Sequence, residues 1–408
     1  MKLLDGIKVL DLTNVLSGPF AGYQLALMGA DVLKIEALPF GDLARKLGAS
    51  TSLSDQLMGI SFLAQNSEKR SMTLNLKSEE GKEVFARLVE SYDVVLENFR
   101  PGVMERLGFG WEELKRLNPG VIYCSVSGFG QEGPLRKHPA YDQIIQGMSG
   151  LMAVTGDDET SPLRVGAPIS DTIGGFAAAF AISSALVNRA RTGEGVHLDV
   201  SMLDATLVAM GWVASDYLVG GRLPVPMGNE NRTAAPSGTF ETSDGGLNIA
   251  ANKQEQFEAL CRAIDRTDLI EDPRFAGREA RKSNRTELKV ELDAELSKQS
   301  KRHWSAVLPE AGVPAAPVMN IAEALASEQI AFRKLVATLD LGDVAEVPDN
   351  AIGAAGTVSL LGSPVHINGT AVIPKVRPPR LGEHTTQVMT QLGFTEKEIS
   401  ELQRKEVV

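Results

Sequence analysis

The sequence predicts an α/β fold built on a parallel sheet, and three observations lead to it. Short apolar strands alternate with helical stretches through the N-terminal half, the order that folds as successive βαβ units. Glycine or proline punctuates many of the turns between them, where the backbone must reverse. At 408 residues, 43% apolar and 23% charged, the chain has the make-up of a globular protein large enough for two domains.

In chain order, Ile7 to Leu12 is predicted as the first strand. Gly18, with Pro19 at the first helical position, opens a helix that Gly29 closes, since proline suits a helix start and glycine its end. Asp31 to Glu36 and, after a loop-rich stretch, Met72 to Leu76 are the next strands. Ser78 can cap a helix whose Val84, Phe85, Leu88 and Val89 share one face, as apolar residues at helical spacing do. Asp93 to Leu96 and Val121 to Ser127 read as strands. The turn Glu97 to Gly102 leaves the carboxyl end of a strand, where open α/β sheets receive ligands. Arg100 and Arg106 nearby suit phosphates through charge-assisted bonds, or are solvated surface charges. Gly128 to Gly133 spells GxGxxG, but Pro134 follows at once, so no helix start is in place for a pyrophosphate. The first βα turn carries only Gly18 and Gly22, which leaves the dinucleotide fingerprint incomplete. Tyr141 to Ala153 is predicted helical, with Ile144, Ile145, Met148, Leu151 and Met152 inward.

The stretch Arg164 to Val200 organises the rest. It breaks at Ala167-Pro168, presents Asp171 and Gly174-Gly175, and continues as an apolar helix from Ile173 to Val187. Arg189 and Arg191 suit the negative end of that helix, Gly193 and Gly195 stop it, and Val196 to Val200 is a strand. An acid just ahead of a helix is a favoured N-cap. The glycine pair is less ordinary, because each glycine costs a helix about 1 kcal/mol relative to alanine; it implies that something comes close to the backbone. Asp171 is therefore either a cap or a site residue. Met202 to Leu218 is one further apolar helix.

Composition shifts after Gly220, where proline, glycine and asparagine accumulate without periodicity, and a domain crossing is predicted there. Beyond it, Leu247 to Ala251 is a strand, and Gln254 to Ile264, a helix to Leu296 opened by an Asn284/Glu287 capping box, and Lys301 to Ala311 are helices. A helix from Ile321 to Leu335, a glycine-rich strand region to Ile373 and a helical tail from Glu383 complete the chain.

The net charge of -11 argues against a nucleic-acid partner, which needs a basic face. Cys124 and Cys261 stand far apart, which suits a reducing cytosol and offers no metal or disulfide framework. The five histidines lack HExxH spacing, so no zinc site is expected. Neither a signal peptide nor a membrane span is expected, and the expected location is cytoplasmic. With no GxSxG elbow or Walker loop, a nucleophile, if present, is a carboxylate.

Taken together, LDGIKVLDLTNVLSGPF, GADVLKIE, KRSMTLNLKSEEGK, ENFRPGVMERLG, SGFGQEGP, the Tyr141-Asp142 helix start, GAPISDTIGG, RTGEGVHLDVSMLDA, GVPAAPV and LGEHT closely resemble the class III CoA-transferases, the group of formyl-CoA, carnitine and bile-acid CoA-transferases. The resemblance runs over essentially the whole chain. It implies a Rossmann-like large domain built from both chain ends (1–220 and 331–408), a smaller α+β domain with linkers at 221–330, and an interlocked homodimer. It places the catalytic aspartate on Asp171 and CoA contacts on Leu74, Lys77, Asn98, Phe99 and Arg106. Leu16, Tyr141, Gly174 and Gly175 then fall in the substrate pocket. CoA thioesters are implied as substrates, with no tightly bound cofactor, and the small-molecule partners are an acyl-CoA and a carboxylate.

An ordinary aspartate, with a pKa of about 3.9, is ionised at neutral pH and can attack a thioester without a base. Amides near Gly174-Gly175 or in the SGFGQEGP loop are candidates for the oxyanion. The α-methylacyl-CoA racemases share the superfamily, but use a histidine where Tyr141 stands here, and a phenol is a poor proton carrier near neutrality. A non-catalytic CoA-binding protein is the other alternative. Oxalate-using transferases carry Gln and Arg where this chain has Leu16 and Ala37. The expected reaction is therefore transfer from succinyl-CoA to a longer dicarboxylate such as mesaconate, itaconate, citramalate, malate or glutarate. Arg45, Arg164 or Arg232 is a candidate to clamp its distal carboxylate, or is a surface charge.

Overall fold

The computed structural model describes residues 1–342 and 356–408. They form two compact units, one of residues 1–151, 164–221 and 328–408 and the other of residues 152–163 and 222–327.

The first unit is built on six parallel strands: β1 (Lys8–Asp11), β2 (Asp31–Glu36), β3 (Arg70–Thr73), β4 (Val94–Glu97), β5 (Ile122–Ser127) and β6 (Val196–Ser201). Their spatial order is β3-β2-β1-β4-β5-β6. The order reverses between β1 and β4, the doubly wound arrangement that opens a crevice at the carboxyl ends of those two strands. Val9, Leu10, Val32, Leu33, Val94 and Val95 are all buried, because helices cover both faces of a parallel sheet. On one face Leu10, Leu33 and Val95 pack with Phe85, Leu88, Val388, Met389 and Leu402. On the other, Val9, Val32 and Val94 meet Ala21 and Leu25 of helix Ser17–Leu27 and Ala178 and Ile182 of helix Ile169–Thr192.

The returning C-terminal segment covers β3, the outer strand. His384 N–H donates to Ser71 O (2.8 Å), Ser71 N–H to His384 Nδ1 (3.2 Å) and Thr73 N–H to Thr385 Oγ1 (3.1 Å). Backbone groups that an open edge would offer to another chain are satisfied internally.

The second unit holds a three-stranded antiparallel sheet, β7 (Ser237–Thr242), β8 (Gly245–Ala250) and β9 (Ala315–Pro317). Phe240, Leu247, Phe257, Leu260, Leu292 and Trp304 form its core. Of these strands, β7 and β9 have no counterpart in the sequence reading. β9 is only three residues of Ala and Pro, too short for periodicity to register.

Several expected elements shift. Pro19 is the third residue of its helix, and β3 starts at Arg70. The helix predicted over Tyr141 to Ala153 covers Asp142–Met148; only Ile145 of its apolar set is fully buried, with Ile144 and Met148 exposed. The helix at Met202 to Leu218 is two, Met202–Ala209 and Gly211–Leu218, and Ile321 to Leu335 is likewise Ile321–Leu325 and Glu328–Arg333. Asn284 accepts no capping bond; its Nδ2 donates to Ala280 O (2.9 Å) instead. The glycine-rich strand region gives pairs at Val336–Asp340 and Thr357–Leu361, and part of it lies outside the described residues. Ile169–Thr192 is long and apolar enough to cross a membrane by composition, but it packs in the core of the first unit through Ala178, Ile182 and Leu186.

Candidate active site

At the crevice between β1 and β4 two asparagines lock the loops together. Asn14 N–H donates to Asn98 Oδ1 (2.8 Å), and Asn98 Nδ2 donates to Asn14 O (2.8 Å). The next residue, Val15, sits at φ 68°, a left-handed conformation costly for a β-branched side chain. It is held there by Asp42, whose Oδ1 accepts the Val15 N–H at 2.9 Å. Asp42 is in turn paired with fully buried Lys34 at 3.0 Å. Strain in this turn is thus imposed by buried charges and presents Leu16 and Ser17 to the crevice.

A cleft of about 230 Å³ occupies this position. The loop after β1 (Asn14 to Ser17), the turn after β4 (Asn98 to Pro101), the end of β5 and the loop after it (Val126 to Phe129, Arg136, His138 to Tyr141), Asp171 and Met202 line it. Of the residues singled out in the sequence, the fold brings Leu16, Asn98, Phe99, Tyr141 and Asp171 together around one space. Leu74 is in the core beyond β3, while Lys77 and Arg106 are exposed and stand outside the cleft lining.

Asp171 is the third residue of its helix, whose N-cap is Pro168. Its carboxylate accepts no capping bond and, among the described residues, pairs with no cation, so it is not the cap. That role falls to Asp142 from a neighbouring helix: its Oδ1 accepts the Ser170 N–H at 2.9 Å. Asp142 Oδ2 takes Gln146 Nε2 (2.7 Å) and Arg164 Nη2 (3.2 Å), so Arg164 already has a carboxylate partner. The sequence showed no sign of this long-range cap, because capping patterns are legible only between near neighbours.

Burial pushes the Asp171 carboxyl up to about 7, and the charge of Asp142 adds to the effect. This corrects the expectation of an ordinary aspartate. The positive end of the helix acts in the opposite direction. A carboxylate with a raised pKa is a stronger nucleophile once ionised.

The glycine pair has a packing cause. A Cβ on Gly175 would stand 2.5 Å from Ser17 O, and one on Gly174 would stand 3.0 Å from Ser17 Oγ. What approaches the backbone is helix Ser17–Leu27. Both amides lie beyond the first turn of Ile169–Thr192 and are spent on helical bonds, so they are not oxyanion donors. We expect Gly175→Ala to lower the melting temperature, by about 1–3 kcal/mol of overpacking, and to reduce turnover by displacing Asp171. Thermal unfolding and steady-state kinetics on the same sample check this.

Arg45 also departs from expectation. It is fully buried, with Nε and Nη2 bonded to Glu36 Oε1 and Oε2, both at 2.7 Å, and cannot clamp a substrate. The basic side chains that do line the cleft are Arg100, Arg136 and His138. Arg136 and His138 come from the loop after β5, of which the sequence reading singled out the backbone amides but not these side chains.

A doubly wound parallel sheet with its cleft at the switch point is the frame of a nucleotide- or cofactor-handling α/β protein. Comparison with known proteins makes this specific. The chain belongs to CoA-transferase family III, whose model matches residues 4–385. It is 41% identical to an acetyl-CoA:oxalate CoA-transferase of Acetobacter aceti, over 96% of both chains. It is 37% identical to a succinyl-CoA:mesaconate CoA-transferase of Haloarcula marismortui, covering 96% of this chain and 97% of that one. Among solved structures, a CaiB/BaiF family protein from Brucella suis matches with a TM-score of 0.82 at 36% identity, covering 95% of this chain and 99% of that one. The protein is an enzyme that transfers CoA between carboxylic acids.

Proposed function

We propose that this enzyme moves CoA from succinyl-CoA to a second dicarboxylate, such as mesaconate, itaconate, citramalate, malate or glutarate, with Asp171 as the covalent carrier. The observation that carries the reading is the Asp171 carboxylate lining the switch-point cleft without a cationic partner among the described residues. An Asp171 oxygen attacks the thioester carbonyl carbon, and the carbonyl electron pair moves onto oxygen. Collapse of that oxyanion breaks the C–S bond, leaving an acyl-aspartyl anhydride and CoA thiolate. The thiolate attacks the aspartyl carbonyl, the donor acid departs as its carboxylate, and an aspartyl-CoA thioester remains. The acceptor carboxylate then runs both steps in reverse and restores Asp171. Amides of Gly128 and Phe129, in the cleft wall, are the candidates for the oxyanion.

In this reading Asn98 and Phe99 hold CoA at the cleft, and Lys77, Arg106 and the backbone at Leu74 take its nucleotide end. Tethering the released thiolate keeps its effective concentration high against water. The enzyme is a cytoplasmic homodimer of interlocked chains, each with a Rossmann-like large domain made from both chain ends and a smaller α+β domain. Phe180, Val208, Trp212 and Leu218 of the first unit are largely exposed in the single chain, more apolar surface than a monomer commonly leaves to water.

A second acceptor has its own support. The 41% identity to the acetyl-CoA:oxalate enzyme favours oxalate with acetyl-CoA as donor, against the departures at Leu16 and Ala37. Incubation in D₂O with succinyl-CoA or acetyl-CoA and a panel of acids, and in a parallel tube with a 2-methylacyl-CoA, read by mass spectrometry, decides between them. We expect new acyl-CoA masses without deuterium, the most abundant of which names the acceptor. Deuterium gain on a 2-methylacyl-CoA with no new thioester would instead establish a racemase.

A further inference from the structure

Glu97, the last residue of β4, is buried without a cation beside it among the described residues. A buried carboxylate in that position is expensive unless hydrogen bonds support it. Its Oε2 accepts the Phe99 N–H at 2.7 Å, and its Oε1 accepts the Tyr123 hydroxyl at 3.2 Å. Strand register explains the grouping: Glu97 lies opposite Ser125, and Tyr123 opposite His197. These side chains share one sheet face. The Ser125 hydroxyl lies beside the carboxylate on the neighbouring strand and stands 3.1 Å from His197 Nε2. The His197 ring stacks on Tyr123 at 4.6 Å. A row of polar groups therefore runs from half-buried His197 past Ser125 to Glu97 and ends on the amide of Phe99, inside the turn that lines the cleft.

We propose that Glu97 is a positioning residue for CoA: its carboxylate holds the Asn98 to Pro101 turn in the form that receives the ligand, and protonation of this row releases it. This rests on the reading of the cleft as the CoA site. Burial raises Glu97 to about 7, opposed by the Ser125, Phe99 and Tyr123 bonds, with Glu105 adding to the rise. The other titratable groups nearby are Cys124, on the opposite face of β5 and held protonated by burial, and His197, which is already part of the row and whose pKa burial lowers against the opposing charges of Asp199 and Glu105. A protonated Glu97 gives the Phe99 amide a neutral acceptor in place of a charged one, so the turn is held more weakly below pH ~7.

The test measures binding of free CoA by calorimetry from pH 5.5 to 8.5. It compares Asp171→Asn with Asp171→Asn/Glu97→Gln, so that titration of Asp171 is absent and titration of CoA itself cancels in the ratio. We expect the double variant to bind about tenfold more weakly at pH 8, the scale of one charge-assisted hydrogen bond, and the ratio to approach one at pH 5.5. Tyr123→Phe, which deletes a donor to the carboxylate and keeps the ring, should move the midpoint of that change to higher pH. A ratio that does not vary with pH, with both proteins folded by circular dichroism, overturns the role of Glu97 and leaves the cleft assignment standing. Failure of Asp171→Asn to bind CoA at any pH removes the cleft assignment, and the role of Glu97 with it.

Discussion

Asp171→Asn is expected to reduce CoA transfer by about 10⁵-fold, the scale seen when a covalent nucleophile is removed. The amide keeps the shape of the side chain in the first turn of its helix but cannot form the anhydride. Incubating wild-type enzyme with acyl-CoA and hydroxylamine should convert the Asp171 peptide to its hydroxamate, detectable by mass, and the variant should give none. Retention of transfer within tenfold of wild type would remove Asp171 from the chemistry. In the wild type, kcat/KM should rise with pH through an acid limb near 7, because the free enzyme must be ionised at Asp171 to attack. The same shift makes a stability prediction. Folded Asp171 holds its proton up to about 7, whereas the unfolded chain releases it near 3.9. Between those values the folded state binds more protons, so the contribution of Asp171 to stability declines as pH rises and levels off above 7. The Asn variant should therefore melt higher than wild type at pH 8, and the gap should close below about pH 4. A gain in stability with a loss of function is the mark of a site held in an unfavourable state.

Arg45→Met is expected to cost about 3–5 kcal/mol of stability by leaving Glu36 charged, buried and unpaired. Six charged groups are buried near the carboxyl ends of β1 and β2: Asp11 with Lys69 at 2.8 Å, Lys34 with Asp42 at 3.0 Å and Glu36 with Arg45 at 2.7 Å. Arg45 also donates to Leu57 O at 3.0 Å and lies 3.7 Å over the Phe62 ring, so methionine retains packing while losing the bonds. The denaturant midpoint should fall, and replacing Glu36 by Leu in the same chain should recover much of the loss, since removing both charges leaves neither uncompensated. A single variant as stable as wild type would mean that Glu36 takes up a proton at little cost. Burial by itself raises Asp11 and Asp42, but Lys69 and Lys34 outweigh it and hold Asp11 low, and Lys34 with the amides of Val15 and Ala44 holds Asp42 low. Their contribution is full above the unfolded carboxylate range and is lost as pH falls through their depressed folded values. The acid limb of stability should therefore report this cluster.

The same cluster separates what was legible in the chain from what was not. GADVLKIE was readable as a strand from its apolar run, but nothing in that run assigned a role to Lys34 or Glu36. In the fold Lys34 and Glu36 are among the most buried residues. Ion pairing across the loop after β2, to Asp42 and Arg45, reverses the usual meaning of a charge, and helical or strand periodicity does not encode it. Arg45 was misread as available to substrate for the same reason.

By itself the sequence determined the parallel α/β class, five of the six strands of the main sheet to within one or two residues and the third with a later start, the Ser78 cap and the sense of the GxGxxG-like loop. These depend on periodicity and turn chemistry within a few residues. Its motif set also determined the family, and with it the proposal that Asp171 is the covalent carrier. Only the tertiary structure decided that the cleft sits between β1 and β4, that Asp142 caps the Asp171 helix, and that Gly174 and Gly175 exist for the close approach of Ser17. It alone raised Asp171 toward neutrality. Burial, long-range pairing and the electrostatics that follow are properties of residues brought together by folding, and their spacing along the chain does not contain them.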